Sequence, residues 1–225
     1  MAPVISTVDV VLLTLKSDQL HVALLRRNKE PYNNQLALLG GYIHVNEDRD
    51  VEDAAVRVLR EKAGVESPYL EQLGTYSGPN RDPRGWSLSV AHYALVPEHI
   101  LLQSNTPDLV LVPYEGLKGL PFDHSDMVHA AVDRMRTKSR YSSMPALLMS
   151  ETFTIGQLYR LYLSLGVRSM PDRTSFYRKA EKFDFLEPVG GVEVTKEHRP
   201  GILYRLKAEY RKSPLLLDRG FTTSI

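Results

Sequence analysis

Short runs of apolar and β-branched residues, separated by polar turns, dominate the first part of the chain. Val4–Leu15 is one such run, and the polar residues 16–19 separate it from a second run, Leu20–Leu25. Two runs joined by a short polar turn predict a β-hairpin. After a polar loop, Leu36–Leu39 leads into the pair Gly40–Gly41. Further extended stretches are predicted at Tyr69–Ser77, Leu88–Val96 and Leu109–Val112.

Two helices are predicted in the first two thirds of the chain. Asp50 can cap the first helix, because its side chain can accept hydrogen bonds from free amides and acidic residues follow in the first turn. The apolar residues of this helix recur at helical spacing, and Gly64 ends it. A second helix is predicted around Ser125–Lys138. The small polar segment Ser139–Pro145 after it indicates a domain boundary.

We therefore expect one domain over residues 1–143 and a second domain over residues 144–225. In the second domain, Thr154 and Gln157 have the spacing of a capping box, and apolar residues at helical spacing follow them. Asp172 can cap the next helix, and two extended stretches come after it. Helix, short turn, helix and hairpin is the order of a winged helix-turn-helix.

The composition is that of an ordinary globular protein, since 43% of the 225 residues are apolar and 24% are charged. No cysteine occurs, which excludes a disulfide framework, thiolate zinc sites and thiol catalysis. No apolar run approaches the length of a membrane span, and the first residues lack the basic flank and apolar stretch of a signal peptide. We therefore expect a cytoplasmic protein without a membrane partner.

The charge is unevenly distributed along the chain. The formal net charge of +1 argues against a strongly basic nucleic-acid binder as a whole. However, residues 1–145 carry 15 basic and 18 acidic side chains, whereas residues 146–225 carry 13 basic and 9 acidic ones. Taken alone, this excess of basic residues is more typical of an uneven distribution of surface charge than of a nucleic-acid-binding domain. Next to a helix-turn-helix, it raises the question whether the last third contacts phosphate.

The most specific pattern is a glycine-rich turn followed by a charged helix, Gly40–Val65. It resembles the Nudix box, G-x5-E-x7-R-E-U-x-E-E-x-G-U, in which U is aliphatic. Gly41 and Glu47 match its opening, although nine residues instead of seven separate Glu47 from Arg57. The second half is matched by Arg57, Leu59, Glu61, Gly64 and Val65. The resemblance implies an α+β fold class, a Nudix α/β/α sandwich followed by a small winged helix-turn-helix domain.

The metal ligands of the Nudix family are altered in this chain. In the family, three glutamates on one helical face bind magnesium, which activates water against a pyrophosphate. The corresponding residues here are Val58, Glu61 and Lys62. Two ligands are missing, and an ammonium repels a divalent cation. We therefore expect no metal site, no required cofactor and no efficient Nudix hydrolysis. Taken alone, the segment also fits a plain amphipathic helix in which Arg57 and Glu61 form a surface pair.

The loop Asn80–Trp86 combines two arginines, an aspartate and the only tryptophan of the chain. Arginine binds phosphate bidentately, and an indole offers a stacking face for a base. The loop resembles the R-D-P-R-G loop of Nudix ADP-ribose pyrophosphatases and of the Nudix-related NrtR regulators, which suggests ADP-ribose or a related nucleotide as the ligand. A solvated hairpin loop with Trp86 on a sheet edge is the alternative. The candidate ligand-binding residues are Arg26, Arg27, Gly41, Arg57, Glu61, Arg81, Arg84 and Trp86.

A basic face is predicted on the second helix of the C-terminal domain. Its residues avoid the apolar positions Phe176, Ala180 and Phe183, as in a recognition helix that contacts bases and phosphates. The loop Thr195–Gly201 would be the wing. A solvated helix face and a protein-binding winged helix are the alternatives. The candidate DNA-binding residues are Arg173, Thr174, Ser175, Tyr177, Arg178, Lys179 and Lys182 on the helix, and Lys196, His198 and Arg199 in the wing.

A Nudix domain with altered metal ligands followed by a winged helix resembles the NrtR-type regulators over nearly the whole chain. This resemblance implies a bacterial homodimer that binds palindromic operator DNA in genes of NAD metabolism, usually as a repressor. It further implies that ADP-ribose or a similar nucleotide in the Nudix domain releases the operator. We hypothesise that the helix over residues 125–138 and the linker after it transmit this change.

Two other functions are compatible with the same sequence. One is a sugar-responsive regulator of the same architecture. The other is a working ADP-ribose pyrophosphatase that recruits other carboxylates and uses the C-terminal domain for dimerisation. The candidate carboxylates for this second function are Glu30, Glu47 and Glu115.

Overall fold

The computed structural model describes residues 3–66, 69–104, 106–167, 170–193 and 201–217. These residues form two compact units. The first comprises the described residues up to Thr14 together with Leu20–Asp133, and the second comprises Leu15–Gln19 and the described residues from Arg134 onward. The domain boundary between residues 143 and 144 stays a prediction.

The first unit is built on a seven-stranded mixed sheet. The strand β1 pairs in parallel with β6 and antiparallel with β4, while β2 pairs with both β3 and β7. Gly40 and Gly41 lie inside β4, whereas the sequence pattern placed them after a strand. The strands are β1 (Ile5–Lys16), β2 (Gln19–Arg26), β3 (Leu36–Ala37), β4 (Leu39–Tyr42), β5 (Tyr69–Gly78), β6 (Ser87–Leu95) and β7 (Leu109–Pro113).

Three helices accompany this sheet: α1 (Val51–Ala63), α2 (Glu98–Gln103) and α3 (His124–Ser139). The predicted ends of α1 are confirmed, because Asp50 accepts a hydrogen bond from the amide of Asp53 at 2.9 Å and Gly64 adopts a left-handed φ of 64°. The short helix α2 was not predicted. Apolar residues of α1 pack on β1 in one buried cluster, so the helix covers one face of the sheet.

The described part of the second unit contains the end of α3, two further α-helices, two 3-10 helices (Met144–Leu148 and Ala208–Tyr210) and a three-stranded sheet with the order β8-β10-β9. The capping box is confirmed: Thr154 Oγ1 accepts from the amide of Gln157 at 3.2 Å, and Gln157 Oε1 accepts from the amide of Thr154 at 2.7 Å. The core of the unit is aromatic, with the rings of Tyr162 and Phe176 5.7 Å apart. Its elements are β8 (Phe153–Thr154), α4 (Ile155–Ser164), α5 (Arg173–Ala180), β9 (Leu186–Glu193) and β10 (Gly201–Leu206).

The helix α5 is shorter than the sequence pattern indicates. It ends at Ala180, after which the amides of Lys182 and Phe183 donate to the carbonyls three residues earlier and Phe183 stacks on Phe185 with ring centroids 4.8 Å apart. Lys182 was expected on the helix and instead lies in the turn after it. The predicted wing residues Lys196, His198 and Arg199 lie outside the described residues. No helix in the described part of the chain is both long and apolar enough to span a bilayer.

Candidate functional site

A cleft of about 760 Å³ opens within the first unit. This volume lies in the range of sites that hold small molecules, roughly 300–1,000 Å³. Most of the predicted ligand-binding residues line it, namely Arg26, Arg27, Gly41, Glu61, Arg81 and Arg84. Arg26 and Arg27 come from the end of β2 and the loop after it, and Gly41 and Glu61 come from β4 and α1. The loop between β5 and β6 supplies the other two residues. The remaining two predicted residues, Arg57 and Trp86, are not among the residues that line the cleft.

Arg57 is held behind the cleft by an ion pair. Its Nε and Nη2 donate to the two carboxylate oxygens of Asp48 at 2.8 Å each, and Nη2 also donates to the carbonyl of Tyr42 at 2.9 Å. The carboxylate of Glu47 bonds to His44 instead, at 3.1 Å. Asp48, which directly follows the Glu47 that matches the opening of the Nudix box, therefore makes the ion pair with Arg57. The two extra residues lengthen the loop enough to bring this neighbouring acid onto Arg57.

Trp86 was predicted to bind the ligand, but it is not among the residues that line the cleft. Its residue is 47% exposed, and its carbonyl accepts from the amide of Ile5 at 3.1 Å. Tyr42 and Phe122 are the phenyl-bearing side chains that line the cleft, and sequence reasoning selected neither. Tyr42 is 52% exposed and lies directly after the two glycines of β4. This position after Gly40–Gly41 is the signal that could have identified it.

Arg84 links the cleft loop to Tyr42. Its Nε and Nη2 donate to the carboxylate of Asp82 at 2.9 and 2.6 Å, and its Nη1 donates to the Tyr42 hydroxyl at 2.6 Å. Burial acts to raise the pKa of Asp82, but the hydrogen bonds and charge of Arg84 lower it below its ordinary value. The guanidinium is thus fixed in orientation at the cleft, with its side chain 36% exposed.

A buried polar network surrounds Asp9. This residue lies inside β1, where the other charged residue is Lys16 at the end of the strand. Asp9 accepts a hydrogen bond from Ser89 at 2.6 Å, and Nε2 of His124 lies 3.5 Å from its other oxygen. Arg81 lies 3.7 Å from Asp9 and donates to both oxygens of Asp123 at 2.8 Å. Burial acts to raise the pKa of Asp9, but these neighbours, His124 first, lower it below its ordinary value. A Cβ on Gly40 would collide with this carboxylate, which explains the glycine.

Sequence reasoning also missed Asp9 and His124, both of which line the cleft. A carboxylate inside an apolar strand is the signal that could have revealed Asp9, since charged groups are buried only with partners. For His124 no comparable local signal exists, because its partners are distant in the chain. Its Nδ1 accepts from the amide of Leu38 at 3.1 Å.

The residues at the Nudix metal positions do not fit magnesium. Val58 is fully buried in the core, Glu61 pairs with Arg57 at 3.4 Å, and Lys62 donates to the carbonyl of Gly40. Hard oxygen ligands in an octahedral arrangement are what magnesium requires. Within the described ranges, no group of three or more histidine or carboxylate side chains could hold a metal ion.

The carboxylates proposed for a working hydrolase are not brought together. Glu30 lines the cleft, whereas Glu115 lines a separate groove of the same unit. Glu47 bonds to His44 and its side chain is 64% exposed. These three residues therefore do not form one ligand set.

The second candidate surface is the polar face of α5. Phe176 and Ala180 are buried, while Arg173, Thr174 and Arg178 are exposed, so the predicted division of this helix between core and solvent is present. Of the other predicted residues, Ser175, Tyr177 and Lys179 are half-buried. Arg173 donates to the hydroxyl of Tyr177 at 3.3 Å and lies over its ring at 5.4 Å.

Known proteins match both units. Residues 5–130 match the NUDIX domain, and residues 145–206 match the NrtR DNA-binding winged helix domain. The ADPR responsive transcriptional repressor NtrR of Acinetobacter baylyi is 30% identical over 203 residues, which cover 88% of this chain and 80% of that protein. The chain belongs to the NrtR family.

Solved structures of the NrtR family agree with this assignment. Shewanella oneidensis NrtR complexed with a 27mer DNA is 33% identical and superimposes with a TM-score of 0.86 over 95% of this chain and 98% of that chain. The NUDIX domain of the same NrtR, complexed with ADP ribose, is 34% identical with a TM-score of 0.54 over 60% of this chain and 90% of that chain. The predicted fold class, a Nudix domain followed by a winged helix, is confirmed.

Proposed function

We propose that this NrtR-family protein is a transcriptional repressor that binds operator DNA through its winged helix and releases it when ADP-ribose occupies the Nudix cleft. The observation that carries the proposal is the cleft itself, which keeps the arginines of a phosphate-binding site while the metal positions have become Val58 and Lys62. Such a site can bind a nucleotide without activating water against it. The similar repressor and the similar ADP-ribose complex named above support the choice of ligand.

The charge of the cleft suits a diphosphate. Arginine and lysine side chains bind phosphate oxygens, and both residue types line the cleft. Arg84 lies over the aromatic ring of Tyr42. A ring of this kind offers a stacking surface for a base or a ribose. The basic lining residues are Arg26, Arg27, Lys29, Lys62, Arg81 and Arg84.

The DNA side of the proposal rests on α5. Its exposed residues Arg173 and Arg178 are suited to contact phosphates and base edges, as in other helix-turn-helix proteins. Recognition of a palindromic operator requires two copies of the helix, so we propose a homodimer, acting in the cytoplasm on genes of NAD metabolism. Ligand must bind the DNA-incompetent state more tightly than the competent state to cause release.

The direct test is operator release. The full chain is titrated onto a fluorescent duplex from its own upstream region, and ADP-ribose is then added while anisotropy is recorded. We expect tight binding without ADP-ribose and release with it. A pentose that releases the operator where ADP-ribose does not would instead support the sugar-responsive regulator.

The variant Arg84→Ala separates the two sites. Removing one charge-assisted contact to phosphate costs about 1.5–3 kcal/mol, or about 10- to 100-fold in ligand affinity. Operator binding should therefore stay unchanged while release shifts to higher ADP-ribose concentration. Arg49→Ala is the matched control, since Arg49 pairs with Asp53 outside the cleft. If the Arg84→Ala variant releases operator DNA at the same ADP-ribose concentration as the wild type, Arg84 does not contribute to ligand binding.

A further inference from the structure

Three basic side chains of the cleft donate to backbone carbonyls and not to carboxylates within the described residues. Arg26 donates to the backbone carbonyl of Asn34 at 2.8 Å, and Arg27 donates to that of Pro31 at 2.8 Å. Lys62 donates to the carbonyl of Gly40. The other two cleft arginines, 81 and 84, are instead paired with aspartates. The positive charge of the cleft that has no carboxylate partner among the described residues therefore lies on these three side chains and on Lys29, which also lines the cleft.

Lys62 is the residue among these three that stands where the hydrolases have a metal ligand. It follows Glu61 on α1 and is half-buried, and it reaches the carbonyl of Gly40 on the glycine strand β4. An ammonium has three N–H donors. One of them serves Gly40, and no other partner for Lys62 exists in the part of the chain that the structure describes. Two donors thus remain for a ligand.

Burial disfavours the positive charge of Lys62. It is the main cause that lowers the pKa of Lys62 below its ordinary value, while Asp9 and Glu61 act to raise this pKa and Arg27 and Arg57 act to lower it. The pKa of Arg27 is also lowered, first by burial and then by the charge of Arg84. A bound dianion would stabilise the charged forms of these buried groups, since an opposite charge nearby favours the charged form.

We infer that the ammonium of Lys62 takes the place of the divalent cation and binds the diphosphate of the nucleotide directly, so that ligand binding requires no metal ion. This inference rests on the proposed function, because it assigns one residue to the same ADP-ribose site. In a hydrolase the metal ion shields the phosphates and activates water. Here one fixed charge on α1 shields the phosphates and does not activate water, which turns a catalytic position into a binding position.

The test is calorimetric titration of the full chain with ADP-ribose, once with EDTA and once with millimolar Mg²⁺. We expect the wild-type Kd to agree between the two conditions within about twofold. The variant Lys62→Met keeps the length of the side chain without its charge and should weaken binding by about 10- to 100-fold. Lys62→Arg should recover part of this loss. Lys118→Met is the matched control, since Lys118 is exposed and lines the other groove.

Each outcome decides the inference. Wild-type binding that disappears in EDTA, or a Lys62→Met variant that binds as tightly as the wild type, would overturn it. Thermal unfolding shows whether Lys62→Met is folded, and if it is not, the EDTA comparison and Lys62→Arg still decide. A wild-type protein that binds no ADP-ribose under either condition contradicts the proposed function instead.

Discussion

At the scale of single residues, the ion pair between Asp48 and Arg57 connects the loop after β4 to the helix α1. Both side chains are almost completely buried, with 2% of Asp48 and 7% of Arg57 exposed. The hydrogen bonds from Arg57 are the main cause that lowers the pKa of Asp48 to about 2. Because Arg57 also donates to the carbonyl of Tyr42, the pair holds in place the strand that borders the cleft.

This pair predicts an acid-sensitive contribution to stability. A carboxyl whose pKa is lowered by folding stabilises the folded state above its ordinary pKa of 3.8, and this stabilisation is lost as the pH falls towards about 2. Asp48→Asn should therefore lower the urea midpoint at neutral pH. The difference from the wild type should shrink as the pH falls below about 4. A difference that stays constant down to about pH 2.5 would contradict this role for Asp48.

The sequence identifies the arginines of the cleft but not their partners. The arginines at 26, 27, 81 and 84 were predicted because their side-chain chemistry indicates phosphate. Whether Glu47 or Asp48 pairs with Arg57 depends on how the longer loop bends, which the pattern does not contain. His124 was missed because its position at the cleft depends on contacts between distant parts of the chain, whereas Tyr42 was missed although it directly follows Gly40–Gly41.

At the scale of elements, the ends that local hydrogen bonds determine were predicted well. The caps at Asp50, Thr154 and Asp172 depend on residues three positions away, and all three are present. The parallel pairing of β1 with β6 joins residues about 80 positions apart, and no local pattern contains it. Tertiary packing thus decided what local sequence could not.

The recognition helix carries the prediction that belongs to this scale. Arg178→Ala should weaken operator binding by about tenfold. It should also make the slope of log K against log salt shallower by about one unit, which corresponds to the loss of one phosphate contact. ADP-ribose binding should not change, since Arg178 lies on α5 and not at the cleft. Fluorescence anisotropy of labelled operator DNA at several salt concentrations measures the operator affinity and its dependence on salt. Arg60→Ala, an exposed arginine of α1, is the control, and equal losses in the two variants would refute the role of α5.

At the scale of the whole molecule, α3 is a helix that both units share. It begins in the first unit and, from Arg134, continues in the second. Its first residue, His124, lines the cleft, and Asp123 directly before it binds Arg81. Near its other end, Arg136 donates to the carbonyl of Leu165 at the end of α4, at 2.7 Å. We hypothesise that a ligand competing with Asp123 for Arg81 changes how α3 is held.

The variant Asp123→Asn tests this coupling, because it removes the charge that holds Arg81 without changing the size of the side chain. Operator binding and ADP-ribose binding to the free protein should each stay within about threefold of the wild type. The ADP-ribose affinities of free and operator-bound protein should become more alike, since coupling is the difference between them. Asp126→Asn, on the exposed first turn of α3, is the control. Unchanged coupling in Asp123→Asn would show that α3 is held in another way.

The fate of ADP-ribose during operator release tests the central claim most directly, namely that the cleft is a receptor and not a catalyst. Operator-bound protein is mixed with ADP-ribose and millimolar Mg²⁺, and the nucleotides are separated and quantified after the DNA has been released. We predict that the DNA is released and that ADP-ribose is recovered intact, with no AMP above the protein-free control. Repeated turnover to AMP and ribose 5-phosphate, at rates near the roughly 10 s⁻¹ of a typical enzyme, would contradict the account.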